Sequence, residues 1–233
     1  MFDNEEAHAP WRDVAFALHG ERLEAHRGVL AARCPYLAER FLASGGCGEG
    51  GGACVVRLPG ARFPVAALAA LLRWCYTGRL AVAAVAADAT AALLRQVKLR
   101  ALADALRAEA EAAPPKQQSL ALEPSRADAK AQLQAALSQL ADAASDADAT
   151  TAGLAPQRVD ALRAGAAALR VDGELFWAHA GFLCPRSDFF AALLGARWRG
   201  GSDAAAAAPP LQLHDTSAEA FRLALRWAYT GAR

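Results

Sequence analysis

Apolar and polar side chains alternate in two separate stretches of the chain, residues 13–30 and residues 168–179. Such alternation predicts β-strands that bury one face. A short turn interrupts each run, at His19-Gly20 in the first stretch and at Asp172-Gly173 in the second. Because glycine tolerates the positive φ of a tight turn, each stretch predicts a β-hairpin.

After each hairpin the spacing of the apolar residues becomes helical. Residues 27–42 predict two short helices, because the proline of Cys34-Pro35 disfavours helix just before it. Residues 181–194 repeat this pattern, with Ser187-Asp188 as the predicted N-cap. A short strand and a final helix follow in each stretch: residues 54–58 and a helix from about Phe63 in the first, residues 211–215 and a helix from about Ala218 in the second.

Both stretches belong to one long internal repeat. The heptad LRWCYTG at residues 72–78 recurs as LRWAYTG at residues 225–231, an offset of 153 residues. Further pairs at the same offset are His26 with His179, Arg33 with Arg186, and Leu58 with Leu211.

The register holds without a net gap over residues 13–78 and 166–231, which we call the first repeat and the second repeat. Chance does not preserve such a register over this length, so the chain carries a duplicated module. In each repeat the heptad closes the final predicted helix. Its glycine is expected to take the left-handed conformation that caps helices, so we interpret the heptad as structural.

Between the repeats lies a spacer, residues 113–165. Its first part, rich in proline, glutamine and serine, predicts a break, so the first domain is expected to end near Ala112. An amphipathic helix follows, with Leu133, Leu137, Leu140 and Ala144 on one face. This helix could bind a partner or act as a rigid arm, but we favour packing on its own domains. Residues 144–157 predict a flexible exit.

Composition and charge narrow the function classes. The net charge is +1, which gives no electrostatic reason to expect nucleic acid or an anionic membrane as a partner. No apolar run approaches the length of a membrane span. The five cysteines favour free thiols in a reducing compartment, and the Cys47 and Cys54 pair lacks a nearby histidine for zinc. We therefore expect an intracellular protein, cytoplasmic or nuclear, without a cofactor or metal.

The order of these motifs resembles the BTB (POZ) domain family. The residues that carry the resemblance are DVAFALHGERLEAHRGVLAARCPYLAERF, VVRLPG and LLRWCYTGRL in the first repeat, and VDGELFWAHAGFLCPRSDFFAALL, LQLHDTSAEAF and LRWAYTG in the second. Two such repeats with a helical spacer are also similar to the BTB-containing part of the ankyrin-repeat-and-BTB family. The resemblance implies an α+β fold, a small sheet flanked by short helices, present twice.

The resemblance also implies a domain organisation. It consists of an N-terminal tail (1–12), a first BTB domain (13–112), a linker with an amphipathic helix (113–165) and a second BTB domain (166–233). The first repeat continues into a leucine-rich segment that matches the final helical hairpin of the family. Because the second repeat has no such continuation, we expect an incomplete second domain with exposed apolar surface on its core helices.

Several residues of the repeats could have either a catalytic or a structural role. His26 and His179 occupy matching positions at a helix start, where an enzyme could use a general base. The family pattern instead makes this histidine a structural residue that ties hairpin to helix, and we expect no enzyme. The other residues to which we assign a structural role are Trp74, Tyr76 and Gly78 in the first repeat, and Trp227, Tyr229 and Gly231 in the second. The two tryptophans could instead anchor an interface, but we favour core positions for them.

Protein binding is the function that the resemblance implies, namely a substrate adaptor of a cullin-three-type ubiquitin ligase. By resemblance, the cullin-facing positions are Tyr36, Leu37, Arg40, Phe41 and Leu42 in the first repeat, and Phe189, Phe190, Leu193 and Leu194 in the second. A hydrophobic-x-Glu contact usually strengthens this binding. Here only Cys47-Gly48-Glu49 has that form, in a glycine-rich setting.

The alternative is an oligomerising scaffold, of a transcriptional or assembly type, that pairs through its BTB domains. Many BTB dimers use an extra N-terminal strand and helix, but only twelve residues precede Asp13. The two repeats are therefore expected to pair within one chain or between chains.

Overall fold

The structure is a computed structural model that describes residues 11–43, 54–57, 64–114, 116–198 and 208–231. Each repeat forms a three-stranded sheet with a hairpin and one parallel strand, in the orders β2-β1-β3 and β7-β6-β8. The strands of the first sheet are β1 (Val14–Leu18), β2 (Glu21–Ala25) and β3 (Cys54–Arg57). Those of the second are β6 (Ala167–Val171), β7 (Glu174–Ala178) and β8 (Leu211–Leu213).

Both hairpins close with the predicted two-residue turns. His19 and Gly20 have φ of 50° and 84°, and Asp172 and Gly173 have φ of 50° and 83°. Positive φ at both central positions is the geometry of a turn whose twist matches that of the strands. The alternating pattern is confirmed in β6, where the side chains of alternate residues are buried.

The helices of the two repeats also correspond. Two short helices follow the first hairpin, and a short helix, a 3₁₀ turn and a longer helix follow the second; a final helix completes each repeat. The first repeat contains α1 (Arg27–Arg33), α2 (Pro35–Ala43) and α3 (Val65–Thr77). The second contains α9 (Ala180–Leu183), the 3₁₀ turn Cys184–Arg186, α10 (Asp188–Trp198) and α11 (Ala218–Thr230).

A glycine ends the last helix of each repeat, as the heptad predicts. Gly78 has φ of 73° and donates its N–H to the Trp74 carbonyl at 2.8 Å. Gly231 has φ of 70° and donates to the Trp227 carbonyl at the same distance. The left-handed conformation costs a glycine little, which explains why the heptad ends in this residue.

The predicted pairing of the third strands is wrong by two residues. Leu211 pairs with Leu169 as Val56 pairs with Phe16, so Leu211 corresponds to Val56 rather than to Leu58. The register returns to the offset of 153 in α3 and α11. The segments before and after this strand therefore differ in length by two residues between the repeats, which a gapless alignment of sequence cannot show. Leu58 and Phe63 lie outside the described residues.

Additional elements follow the first repeat in the chain. Strand β4 (Leu80–Ala83) and a 3₁₀ turn (Ala84–Ala86) lead into the helices α4 (Ala87–Gln96) and α5 (Arg100–Ala112). Helix α3 packs against β4 and α4, and α4 packs against α5. The leucine-rich segment therefore forms the helical hairpin that the resemblance implies.

Regular structure continues through most of the spacer, contrary to the predicted break and flexible exit. Strand β5 (Ser119–Leu122) pairs antiparallel with β4. The helices are α6 (Arg126–Ala143), α7 (Asp146–Thr151) and α8 (Pro156–Arg163). Ser125 and Ser145 cap α6 and α7 through their hydroxyls, and Pro156 begins α8, where its missing N–H costs no hydrogen bond.

Buried apolar residues of both repeats and of the spacer form one continuous cluster. Helix α6 contributes Leu137 and Leu140 to it and packs against α1, α8 and α11. The favoured expectation for this helix, packing on its own domains, is confirmed. The spacer is therefore part of the core rather than a tether between two separate bodies.

Candidate interaction surface

Each repeat contains a buried contact between the histidine that follows the hairpin and the tyrosine of the heptad. The backbone N–H of His26 donates to Tyr76 Oη at 2.8 Å, and His26 Nδ1 lies 2.9 Å from the same oxygen. In the second repeat, His179 N–H donates to Tyr229 Oη at 3.0 Å, and its Nδ1 lies 2.7 Å away. The heptad tyrosine thus ties the final helix to the end of the hairpin.

The contact accommodates the histidine tautomer that carries its proton on Nε2. In that tautomer Nδ1 accepts from the tyrosine hydroxyl, while the tyrosine oxygen accepts the backbone N–H. In the second repeat, burial and the nearby positive charge of Arg27 lower the pKa of His179 to about 4, so the ring is neutral at pH 7. Both histidines are held in place by the heptad tyrosines.

Across the boundary between the repeats, the same histidines make a reciprocal contact. The His179 ring covers Gly28, where an added Cβ would lie 2.9 Å from Nε2. The His26 ring covers Gly181, where an added Cβ would lie 2.5 Å from Cδ2. Gly28 and Gly181 correspond at the offset of 153, so each repeat offers the same two groups to the other. Contacts of this kind define a twofold-type interface, here within one chain.

An ion pair in the first repeat lies beside this interface. Arg27 donates its backbone N–H to Asp13 Oδ1 at 2.6 Å, and its Nε lies 3.4 Å from Oδ2. Burial raises the pKa of Asp13 to about 6, although the charge of Arg27 opposes the shift. Gly165, at the entrance to β6, leaves room for the pair, because a Cβ there would lie 2.5 Å from Asp13 Oδ2.

Helix α8 links the spacer to the first repeat. Arg158 donates from Nη1 to the Ala31 carbonyl at 2.6 Å and from Nη2 to the Ala32 carbonyl at 3.0 Å. These carbonyls belong to the last turn of α1, where a cation is favourable. Nη2 also donates to Gln139 on α6. One guanidinium therefore joins three helices.

The two heptad tryptophans differ in their surroundings. Trp74 is half-buried beneath the Arg33 guanidinium, which lies 4.4 Å from the ring centroid. Trp227 lies near Arg186, which also donates to the Trp227 carbonyl at 3.1 Å, but the residue is 42% exposed. The predicted core position is therefore wrong for Trp227, because in the part of the chain that the structure describes α11 packs chiefly on α6 and α9, on its other flank.

The positions predicted to face a cullin in the first repeat divide by burial. Leu37 and Phe41 belong to the core, so a partner cannot reach them. Tyr36 is half-buried and Arg40 is exposed, while the side chain of Leu42 is outside the described part of the chain. Helix α2 also packs against α8 of the spacer. The Cys47-Gly48-Glu49 segment lies outside the described residues.

In the second repeat the same helix is more open. Phe189, in its first turn, is 60% exposed and stacks edge-on with Phe190 at 5.1 Å between centroids. Phe190 and Leu193 are half-buried, and Leu194 belongs to the core. Phe189 corresponds to Tyr36 at the offset of 153, so the second repeat carries the more accessible aromatic.

The family of the chain follows from this duplicated architecture and from a comparison with protein-family models. The BTB/POZ domain model matches residues 2–111 and 166–233. The chain belongs to the BTB/POZ family. Its α+β fold, with small sheets flanked by many helices, is that of the family. BTB domains are protein-interaction modules, so this chain is one as well. Among the described residues, no helix combines the length and hydropathy that a membrane span needs.

Several residues of this BTB pair were not singled out from the sequence. Gly28 and Gly181 seal the interface, and Arg158 and Gly165 connect the spacer to the first repeat. Only the two glycines could have been found from the sequence, since both occur two residues after the matched histidines. Arg158 and Gly165 belong to no local sequence pattern, because the residues that they contact are distant in sequence.

Proposed function

We propose that this BTB protein is an adaptor that docks a cullin-three-type scaffold through helix α10 of its second repeat. The observation that carries the proposal is the 60% exposure of Phe189 on the helix that the family resemblance assigns to cullin contact. Aromatic residues are enriched at the core of protein interfaces, and Phe189 adjoins the half-buried Phe190 on the same helix.

The first repeat is less suited to this role. Its matching helix α2 packs against the spacer helix α8, and its apolar side chains Leu37 and Phe41 serve the core. In this proposal the first repeat pairs with the second and holds it in place. The binding surface consists of Phe189 with the half-buried side chains Phe190 and Leu193.

Pulldown of the whole chain with a purified cullin-three N-terminal region tests the proposal. We expect binding that Phe189→Ala weakens at least tenfold, because a hot-spot aromatic contributes more than about 2 kcal/mol. Phe189 is exposed, so its variant should fold. The matched control is Tyr36→Ala in the first repeat, which should leave binding unchanged.

Two outcomes would contradict the proposal: no binding by folded protein, or equal weakening by both variants. The first would favour the alternative, a non-ligase scaffold that works through BTB pairing. The reciprocal contact of His26 and His179 counts against that alternative, because it occupies a pairing surface within one chain. Light scattering separates the two, since a scaffold that pairs between chains should show a two-chain mass.

A further inference from the structure

The outer edge of β2 is open in the part of the chain that the structure describes. Strand β2 lies at one side of the first sheet, whose order is β2-β1-β3. Arg22 and Glu24 are exposed there, and Leu23 is half-buried. Among the described residues, the backbone of these three residues pairs with β1 only. An exposed strand edge is a template on which another strand can form hydrogen bonds.

The same edge of the second repeat is occupied. Strand β7 corresponds to β2, and the N–H of Trp177 donates to the Ala144 carbonyl of the spacer at 2.8 Å. Phe176 beside it forms an antiparallel bridge with Ser145. Trp177 matches Glu24 at the offset of 153. This edge of the module therefore accepts a further antiparallel segment, and its backbone at this position points away from the sheet.

The hairpin register shows which backbone groups of β2 face outward. Leu18 pairs with Glu21 across the two-residue turn, so these two residues exchange hydrogen bonds with each other. The pattern alternates along the strand, so Leu23 also bonds to β1, whereas the N–H and C=O groups of Arg22 and Glu24 point away from it. This phase agrees with the outward N–H at the matching position of β7.

We propose that two copies of this chain pair through β2, antiparallel, with Leu23 of both copies on a twofold axis. In this register Arg22 lies opposite Glu24 of the second copy, and each such pair exchanges two backbone hydrogen bonds. The two Leu23 side chains form the closer, non-hydrogen-bonded pair on the other face of the sheet. The result is one continuous sheet with three strands from each copy.

The charges of β2 select this register and favour a second copy as the occupant. Within one strand, Arg22 Nε lies 2.8 Å from Glu24 Oε1. Across the axis each arginine gains a second glutamate, so opposite charges alternate around the group. A shift of two residues would place Arg22 opposite Arg22 or Glu24 opposite Glu24, and like charges directly opposite each other are destabilising. A strand with this order of charges is complementary to itself.

The contact is short, so the pairing should be weak. The free edge ends at His26, whose N–H donates to Tyr76 Oη. Such a small interface belongs to the transient class, and we expect a dissociation constant above about 10 µM. Strand β2 contains none of the residues assigned to cullin binding or to the contact between the repeats, so this inference depends on neither.

Sedimentation velocity of the full chain over about 10 µM to 1 mM tests the pairing. We expect a reversible change from a one-chain to a two-chain mass, which Arg22→Glu weakens at least tenfold. Glu24→Arg should weaken it equally. The decisive sample is an equimolar mixture of these two variants, in which an acidic strand meets a basic strand and association should return. Both changes in one chain should also restore it, because the alternation of charges is kept.

Arg95→Glu is the matched control for these charge reversals. Arg95 is exposed and also contacts a carboxylate, that of Asp104 at 2.6 Å, but it lies on α4. This variant should associate like the native chain. Because the changed residues of β2 are exposed, every variant should keep the native thermal midpoint of unfolding. That check separates a loss of pairing from a loss of folding.

A second measurement reads the register directly. Leu23→Cys places two thiols opposite each other on the axis, within the Cα separation that a disulfide needs. Oxidation with diamide should therefore convert this variant into a covalent dimer, at least tenfold faster than the native chain. Adding Arg22→Glu to Leu23→Cys should remove this advantage.

Three results would overturn the proposal. The first is a one-chain mass of the native protein over the whole concentration range. The second is association that Arg22→Glu does not weaken, because the chains would then meet through another surface, such as BTB pairing. The third is a mixture of the two variants that associates no better than each variant alone. None of these results depends on whether the chain binds a cullin.

Discussion

Helices α3 and α11 end in nearly the same heptad and have nearly the same cap, yet different flanks of the two helices are buried. The face of α3 that contains Ala70 is buried, whereas the matching face of α11, which contains Leu223, is exposed. On another flank the order is reversed. Thr77 is exposed, while Thr230 is buried and its carbonyl accepts a hydrogen bond from Gln134 of the spacer.

This comparison separates the features that each repeat determines by itself from those that depend on packing against other segments. The glycine caps and the hairpin turns are the same in both repeats because residues adjacent in sequence produce them. The histidine–tyrosine contacts join residues 50 apart, but both partners of each contact lie within one repeat. Burial is set by the segment that follows or precedes each repeat. For α11 that segment is the spacer, whose Asp142 pairs with Arg226 at 2.5 Å.

The largest difference in the free energy of unfolding is expected when an acidic residue replaces Ala70 of α3 or the matching Leu223 of α11. Ala70→Asp would bury a carboxylate without a partner, so we expect a loss of more than about 4 kcal/mol in the free energy of unfolding, or failure to fold. Leu223→Asp should change it by less than about 0.5 kcal/mol, because the side chain is exposed. Denaturant unfolding of both variants measures the difference, and equal effects would contradict the comparison.

His179 of the second repeat and Asp13 of the first repeat should change the free energy of unfolding in opposite directions as the pH falls. The pKa of His179 in the second repeat is lowered from 6.5 to about 4, so between these values the unfolded chain binds a proton that the folded chain does not. This contribution lowers stability by about 3 kcal/mol as the pH falls from 6.5 to 4. The pKa of Asp13 in the first repeat is raised from 3.8 to about 6, which gives a gain of similar size over the same range.

The variant Asp13→Asn separates these contributions. It removes the gain, so its unfolding free energy should fall more steeply with acid than that of the native chain, by about 3 kcal/mol between pH 6.5 and 4. The steepness of the pH profile is the readout, because loss of the contact with Arg27 shifts the whole curve. Parallel profiles for the two proteins would show that Asp13 does not titrate in this range.

A smaller effect is expected at the reciprocal contact. Gly181→Ala places a Cβ 2.5 Å from the His26 ring, and Gly28→Ala places one 2.9 Å from the His179 ring. Since both rings are held by tyrosines, each change should cost about 1–3 kcal/mol in urea unfolding. Gly195→Ala is the control, with its nearest contact at 3.8 Å, and should be neutral or stabilising. Tolerance of both alanines would rule out tight packing here.

The smallest effect should appear at the start of the two helices. Ser217 accepts the Ala220 N–H at 3.2 Å and caps α11, whereas α3 begins after Pro64 without a side-chain cap. Ser217→Ala should therefore cost about 1 kcal/mol. Thermal unfolding measures this loss. The control Thr216→Ala, one residue earlier and exposed, should leave the midpoint unchanged.

Much of the fold could be predicted from the sequence because its signals are local. The hairpins follow from alternation and from His19-Gly20 and Asp172-Gly173, and the paired helices follow from apolar spacing around Cys34-Pro35. The spacer could not be predicted in the same way. Strand β5 is short and exists through pairing with β4, and α7 and α8 are too short for a clear helical period.

The candidate surface was predictable in part. Family resemblance selected the helices α2 and α10, but sequence alone does not tell an exposed Phe189 from a buried Phe41, since both are large and apolar. Exposed apolar surface in the second repeat was an expectation of the family resemblance. Only the structure shows that this exposed apolar surface lies at Leu223 and Trp227, because α6 packs on one flank of α11 and leaves the other open.

The ion pair of Asp13 and Arg27 has a consequence for the symmetry of the interface. The corresponding residues in the second repeat are Ala166 and Ala180, so the charges occur on one side of the interface only. In a symmetric homodimer every mutation appears twice, and a buried charge would be repeated across the axis. Because both repeats lie in one chain, that constraint does not apply to this protein. A charged residue on one side of the interface can therefore be kept without its counterpart on the other side, as it is here at Asp13 and Arg27.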